Sequence, residues 1–256
     1  MNKIFEKLVY SLKGYYPVKI GEQEFRGDNA HMFFWRIVNH GGFEPEFYRI
    51  LDRYLDKNTV YCDIGAWIGP TAMYASRICK TVHAFEPDEI AYRFLRTNID
   101  KNNLNNIITH QTAISTENGY IKMASHGKKP GDSMSSMVNI DRYKKSFRAR
   151  AITWKSFIET HHPGKIDFIK MDIEGGEFAV IPSMKRYLET YQPMLHLSLH
   201  PAYIQNNERE SRVRSLFSDL AFYPIILDES LSETKPADIL ANQRTMENFR
   251  SFLFLS

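Results

Sequence analysis

The sequence predicts an α/β fold with a mostly parallel sheet and helices on both of its faces. Two patterns predict it. Short β-rich apolar runs alternate with segments of helical apolar spacing, the arrangement of βαβ units. The first such run, residues 59–64 (TVYCDI), ends in a glycine-containing turn that opens directly into a helical pattern. Crossovers between parallel strands of one sheet are right-handed.

The elements follow in order. A helix is expected over 69–79 and a second strand over 81–85 (TVHAF). The next helix spans 88–103, with Asp88 as N-cap and Ala91, Phe94, Leu95 and Ile99 on one stripe. Residues 107–114 form a third strand. The pattern then weakens. Residues 119–124 suggest a hairpin, and 126–136 are a polar loop rich in Gly, Lys and Ser. A short helix over 153–160 leads to a strong strand over 166–171. A helix over 176–190 is expected to be interrupted near Pro182, because proline lacks the N–H the helix needs. A strand over 193–199, a helix over 208–220 and strands over 223–227 and 249–255 complete the chain. The first 58 residues do not fit the alternation. They include a helix candidate over 46–55 and read as a helical or irregular extension (1–58). It would cap the main domain (59–256) or shape the substrate mouth.

Composition narrows the function. A chain of 256 residues suits one α/β domain with an extension and can bury a core without staples. A hydrophobic fraction of 43% and a charged fraction of 25% are ordinary for a soluble protein. The net charge of +3 is spread among acids, so no nucleic-acid footprint is visible. The one basic cluster is Arg142, Lys144, Lys145, Arg148 and Arg150. It is either a solvated face or a rim attracting an anionic substrate such as an acidic glycan. Cys62 and Cys79 fit buried thiols in a reducing compartment. Neither a secretory signal nor an 18-residue apolar run is visible, so a soluble, cytoplasmic protein with no transmembrane segment is expected.

The segment Asp63-x-Gly65-x-x-x-Gly69 lies between a strand and a helix. Glycine there permits a tight turn and close backbone approach to a ligand. A helix starting at Gly69 presents free N–H groups. The Gly-x-Gly-x-x-Gly fingerprint of dinucleotide sites is absent. The loop suits a ligand without pyrophosphate but with a charged amino acid portion, whose ammonium Asp63 could balance. Glu86 ends the second strand 23 residues after Asp63, where an acid can accept hydrogen bonds from both ribose hydroxyls. The alternative is a structural turn plus a solvated glutamate.

These segments resemble class I methyltransferases, and more narrowly the FkbM-type family. The resemblance rests on Asp63-Ile64-Gly65-Ala66, on Phe85-Glu86-Pro87, on Asn98 and Asn102, and on Lys170-Met171-Asp172-Ile173-Glu174-Gly175-Gly176-Glu177. It covers about residues 59–200. It implies a Rossmann-like class I methyltransferase fold: a mostly parallel seven-stranded sheet with an antiparallel C-terminal strand. It implies S-adenosyl-L-methionine as cofactor and S-adenosyl-L-homocysteine as product. Asp63, Gly65, Ala66, Trp67, Gly69, Glu86 and Pro87 would hold the cofactor, with Ala113 near adenine. Ser135 and Ser136, in the loop 131–136, fall where the family places a serine-rich substrate segment. The chain departs from the family at Trp67, where asparagine is usual, and at Ser198, where an acid is usual.

On the reacting side, strand alternation puts Lys170, Asp172 and Glu174 on one face. They form either an ion-pair set or a working site. An alcohol is a poor nucleophile at neutral pH, so methyl transfer to it calls for a base or a metal. Asp172 and Glu174 are candidates for either job. His196, Ser198 and His200 share a face of the next strand, and His200 should reach its carboxyl end. There it could take a proton or bind a cation, or it could be a histidine satisfied by backbone partners. Asp172 with His200 could hold a divalent cation, Mg²⁺ or Mn²⁺. His196 is a weaker substrate contact, deeper in the strand. The expected activity is O-methylation of a sugar hydroxyl of a glycan or glycoconjugate. A small metabolite or lipid hydroxyl and an inactive cofactor-binding module are the alternatives.

Overall fold

A computed structural model describes residues 3–125, 131, 135–137 and 146–256. The chain starts with helix α1 (Lys3–Lys13), a hairpin of β1 (Tyr16–Ile20) and β2 (Gln23–Gly27), and helices α2 (Met32–Asn39) and α3 (Pro45–Tyr54). The alternating part follows: β3 (Val60–Ile64), α4 (Pro70–Ser76), β4 (Thr81–Phe85), α5 (Glu89–Lys101) and β5 (Ile107–His110). Then come β6 (Ala113–Ser115), β7 (Gly119–Ser125), β8 (Ser135–Ser136), β9 (Ser146–Thr153) and α6 (Trp154–His161). The rest is β10 (Phe168–Met171), α7 (Glu177–Tyr191), β11 (Met194–Leu199), α8 (Asn206–Asp219), β12 (Ile225–Leu227), short helices α9 (Pro236–Ala241) and α10 (Gln243–Glu247), and β13 (Arg250–Leu255).

A seven-stranded sheet runs in the order β12-β13-β11-β10-β3-β4-β5. The pairs from β11 to β5 are parallel, and β13 runs antiparallel to both neighbours. This is the sheet the resemblance implies. The chain order reverses between β3 and β10, which leaves a crevice at their carboxyl ends. The central strands are buried on both faces, as parallel strands are. Alternation sends Tyr61 to the apolar cluster with Ile68, Met73 and Leu95, and Cys62 and Ile64 to the one with Ile169, Ile181 and Leu188. Both cysteines are buried and free.

Capping fixes where α5 and α6 begin. Asp88 accepts from the N–H groups of Ile90 and Ala91, and Thr153 from that of Ser156. Three expectations need correction. Residues 107–114 are not one strand: β5 stops at His110, and β6 joins β9 in a separate four-stranded sheet. The segment 119–124 is one strand rather than a hairpin in itself: it pairs antiparallel with β9 and, at Ala124, with β8. Pro182 does not interrupt α7, since Val180, Ile181, Met184 and Leu188 anchor the helix by burial around it. Of the polar loop and basic cluster, residues 126–130 and 132–134 with Arg142, Lys144 and Lys145 lie outside the described residues. Arg148 and Arg150 are exposed on β9.

The first 58 residues hold more regular structure than the sequence suggests, and their Val18, Phe25, Trp35, Phe47 and Leu51 share a core with α4 and α5. Two asparagines of α5 fasten them. Asn98 is fully buried; its Oδ1 accepts from Asp28 N–H at 2.8 Å, and its Nδ2 donates to the Ile68 carbonyl at 2.9 Å. Asn102 pairs with both backbone groups of Arg26. Among the described residues no helix is long and apolar enough to cross a membrane.

Candidate active site

The loop from β3 to α4 lies against the ends of β4 and β10. Gly65 and Ala66 donate their N–H groups to the Phe85 carbonyl at 3.1 and 2.9 Å. Gly65 has φ of 91°, and a Cβ there would overlap the Asp172 carbonyl oxygen, so only glycine lets the two strand ends approach this closely. Glu86 is buried behind the loop. Its Oε2 accepts from Trp67 N–H at 2.9 Å and its Oε1 from Asp88 N–H at 2.7 Å. Burial pushes this carboxyl up to about 8. Trp67 has φ of 49°, a left-handed conformation that asparagine tolerates and bulky residues rarely adopt. Its indole N–H donates to the Gly131 carbonyl at 3.0 Å, and its ring meets Phe34 edge-on.

Two cavities meet at this loop. One is lined by Gly65, Trp67, Phe85, Glu86, Pro87, Ala113, Met123, Met137, Asp172, Ile173 and Glu174. The other is lined by Phe43, Glu44, Ala66, Thr71, Lys170, Tyr203 and Phe249, and also by Gly65, Trp67, Asp172, Glu174 and His200. Gly65, Trp67, Asp172 and Glu174 border both.

The second cavity is charged. Lys170 Nζ lies 3.6 Å from Asp63 Oδ1 and 3.5 Å from Asp172 Oδ2. Burial alone would lower the Lys170 pKa, but Asp63, Asp172 and Glu44 outweigh it and raise it, so the ammonium stays charged. Burial opposes ionisation of Asp172 too, yet Lys170 and His200 hold its carboxyl below the usual range. His200 Nε2 stands 3.5 Å from Asp172 Oδ1 and 3.6 Å from Glu174 Oε2. Its Nδ1 and its backbone N–H face Glu177 Oε1 at 3.3 and 2.7 Å. Against the effect of burial, these carboxylates, Glu177 first, lift the imidazole to about 9. Burial pushes Glu44 and Glu174 each up to about 7.

The sequence-predicted residues separate into groups. Gly65, Trp67, Glu86, Pro87 and Ala113 line the first cavity; Lys170, Asp172, Glu174 and His200 converge on the second, with Ala66 beside them. Others stand outside both cavities. Asp63 is fully buried beneath the loop and lines neither cavity; its carboxylate takes the Thr71 hydroxyl at 2.5 Å and faces Lys170, so it supports the site from behind. Gly69 also lines neither cavity. It admits Leu95, whose Cδ1 would stand 2.6 Å from a Cβ at this position. His196 is buried against the Phe47 ring, at 4.2 Å between centroids, away from both cavities, and burial lowers its pKa to about 3. Ser198 is likewise interior to β11, so His200 is the strand's contribution to the crevice. Ser136 is buried and donates its hydroxyl to the Glu174 carbonyl, and Ser135 pairs with Ser125 in the β7–β8 ladder. Ser136 lines neither cavity.

Residues 63–223 match the sequence profile described as the methyltransferase FkbM domain. The chain belongs to the FkbM methyltransferase family. The matched profile is that of a methyltransferase domain. No curated protein matches its sequence. Among solved structures, a methyltransferase FkbM from Methylobacillus flagellatus is 18% identical with a TM-score of 0.47, over 87% of this chain and 54% of that one; this chain spans about half its length. The SMU.1697c protein of Streptococcus mutans, in complex with SAH, is 14% identical with a TM-score of 0.45, over 82% and 96% of the two chains. A precorrin-6y C5,15-methyltransferase from Geobacter metallireducens is 12% identical with a TM-score of 0.42, over 83% and 87%.

Several lining residues of this FkbM methyltransferase carry no sequence signal. Met123 and Met137 reach the first cavity from the second sheet and its neighbourhood. Phe43 and Glu44 come from the turn before α3, and Phe249 from just before β13. Glu177 stands in the family motif, and its partnership with His200 needs the fold to be seen.

Proposed function

We propose that this FkbM methyltransferase transfers the methyl group to a carbohydrate hydroxyl of a glycan or glycoconjugate. The carrying observation is the junction of the two cavities at Gly65, Trp67, Asp172 and Glu174. The adenosine would lie in the first cavity, with its ribose on Glu86 and adenine beside Ala113 and the methionines. The sulfonium methyl would then point past the loop into the second. There carboxylates and an imidazole stand among the rings of Phe43, Tyr203 and Phe249. Carboxylates accept hydrogen bonds from sugar hydroxyls, and aromatic faces take the apolar faces of sugar rings. Residues 1–58 act as a cap in this reading, because they place Phe43 and Glu44 in the acceptor mouth. Two free, buried cysteines fit a reducing, cytoplasmic setting.

The reaction balances simply. A lone pair of the hydroxyl oxygen attacks the methyl carbon. The carbon–sulfur bond breaks with its electrons going to sulfur, which leaves neutral S-adenosylhomocysteine. The hydroxyl proton goes to a carboxylate of the pocket. Holding oxygen, carbon and sulfur in line supplies much of the rate. The test is transfer of tritiated methyl from the cofactor to a panel of mono- and oligosaccharides. Label in a base-stable ether supports the proposal. Label found only in base-labile esters or on amines contradicts it.

A further inference from the structure

We propose that Asp172, Glu174 and His200 together bind a divalent cation, which, given the acceptor reading above, also ligates the acceptor hydroxyl. The ligand atoms come from three places: the end of β10, the turn after it and the end of β11. They all lie within 4.8 Å of one another. His200 Nε2 is 3.5 Å from Asp172 Oδ1 and 3.6 Å from Glu174 Oε2. These gaps exceed an N–H···O hydrogen bond of roughly 2.7–3.2 Å. They are close to the separation, about 3.0–3.5 Å, of two atoms that each sit about 2.1 Å from a shared ion.

Two further observations point to a cation. Glu177 occupies Nδ1 of His200 and fixes the ring so that Nε2 faces the two carboxylates, as outer carboxylates do behind metal-bound histidines. Glu44 lines the same cavity, and its Oε2 is buried without a hydrogen-bond partner. Among the described residues, the carboxylates of Glu44, Asp63, Asp172, Glu174 and Glu177 thus crowd around Lys170 and His200. A dication that displaces the Nε2 proton of His200 to solvent still adds positive charge to this cluster. Two carboxylate oxygens with one imidazole suit Mn²⁺ or Mg²⁺, and three protein ligands leave positions open for the hydroxyl and water. A bound hydroxyl loses its proton more readily. The proton passes to Glu44 as the oxygen–carbon bond forms and the carbon–sulfur bond breaks.

The experiment is Mn²⁺ titration of the full chain after dialysis against EDTA, read by loss of the free Mn²⁺ resonance signal. Wild type should bind Mn²⁺ at a single site. Asp172→Asn and His200→Ala should each weaken binding at least tenfold while keeping a cooperative urea unfolding transition, which reports an intact fold. Absence of stoichiometric Mn²⁺ binding at millimolar concentration, or wild-type affinity in both variants, overturns the proposal. The titration contains no acceptor. A protein that binds Mn²⁺ but methylates no saccharide therefore upholds the cation site and overturns only the acceptor reading.

Discussion

The backbone N–H and the Nδ1 of His200 converge on one oxygen of Glu177, at 2.7 and 3.3 Å. The other oxygen accepts the Gly175 N–H at 2.8 Å. A fully buried carboxylate thus ties the turn after β10 to the end of β11 and aims His200 Nε2 into the crevice. Glu177→Ala leaves three buried N–H groups without acceptors and should cost about 2–4 kcal/mol of stability. Glu177→Gln keeps one acceptor and should cost roughly half as much. Urea unfolding of both variants checks this, and equal losses would sink the assignment.

A second prediction concerns acid. His83 on β4 and His110 on β5 stack, with Nδ1 of the first 3.1 Å from Nε2 of the second. Burial lowers His83 from 6.5 to about 4 and His110 from 6.5 to about 3. The folded state therefore binds fewer protons than the unfolded one. The pair's contribution is complete above pH 6.5 and falls as the pH drops toward 4. At about 1.4 kcal/mol per pKa unit, the loss over that window is on the order of 3 kcal/mol for each ring. Urea midpoints between pH 7 and 4.5 should show the decline, flattened in His110→Phe. An unchanged slope in that variant would locate the acid sensitivity elsewhere.

What the sequence revealed and what it hid follow from the range of each interaction. Strand β3, the Gly65 turn, Glu86 and the Asp88 cap are local, so spacing alone exposed them. Asp63 stood in the right motif, but its direction depends on Lys170 and Thr71, and only folding shows that it points behind the loop. The split between β5 and β6 depends on pairing with β9, which lies beyond residue 145. Helix α7 runs through the exposed Pro182 because Val180, Ile181, Met184 and Leu188 are buried around it, which no local preference encodes. Glu44 enters the cavity through the packing of the N-terminal segment, and nothing in its neighbourhood of the chain announces that position.

Gly65 is predicted to be intolerant. Its φ of 91° and the Asp172 carbonyl leave no space for a methyl group. Gly65→Ala should destabilise the fold by about 2–3 kcal/mol and abolish the thermal shift produced by S-adenosylhomocysteine. A variant that melts and responds like wild type would show that β3 and β10 are not held this close.

Trp67→Asn restores the residue usual in the family. The backbone N–H to Glu86 remains, so cofactor affinity should stay within about threefold, which is under 1 kcal/mol. The ring contacts with Phe34 and His31 and the bond to Gly131 are lost, so stability should fall by about 1–2 kcal/mol despite relief of the left-handed strain. Calorimetric titration and urea unfolding separate the two effects. A large affinity loss with unchanged stability would mean that the indole itself touches the cofactor.

The division of labour between the two cavities is tested most directly by calorimetric titration of S-adenosylhomocysteine into Glu86→Ala and His200→Ala. Loss of a buried carboxyl acceptor in the first cavity should weaken binding by roughly 10–100-fold in Glu86→Ala. His200→Ala should bind within about threefold of wild type, a difference under 1 kcal/mol, while losing methyl transfer. Equal weakening in both variants, or none in Glu86→Ala, would contradict the placement of cofactor and acceptor on opposite sides of Gly65 and Trp67.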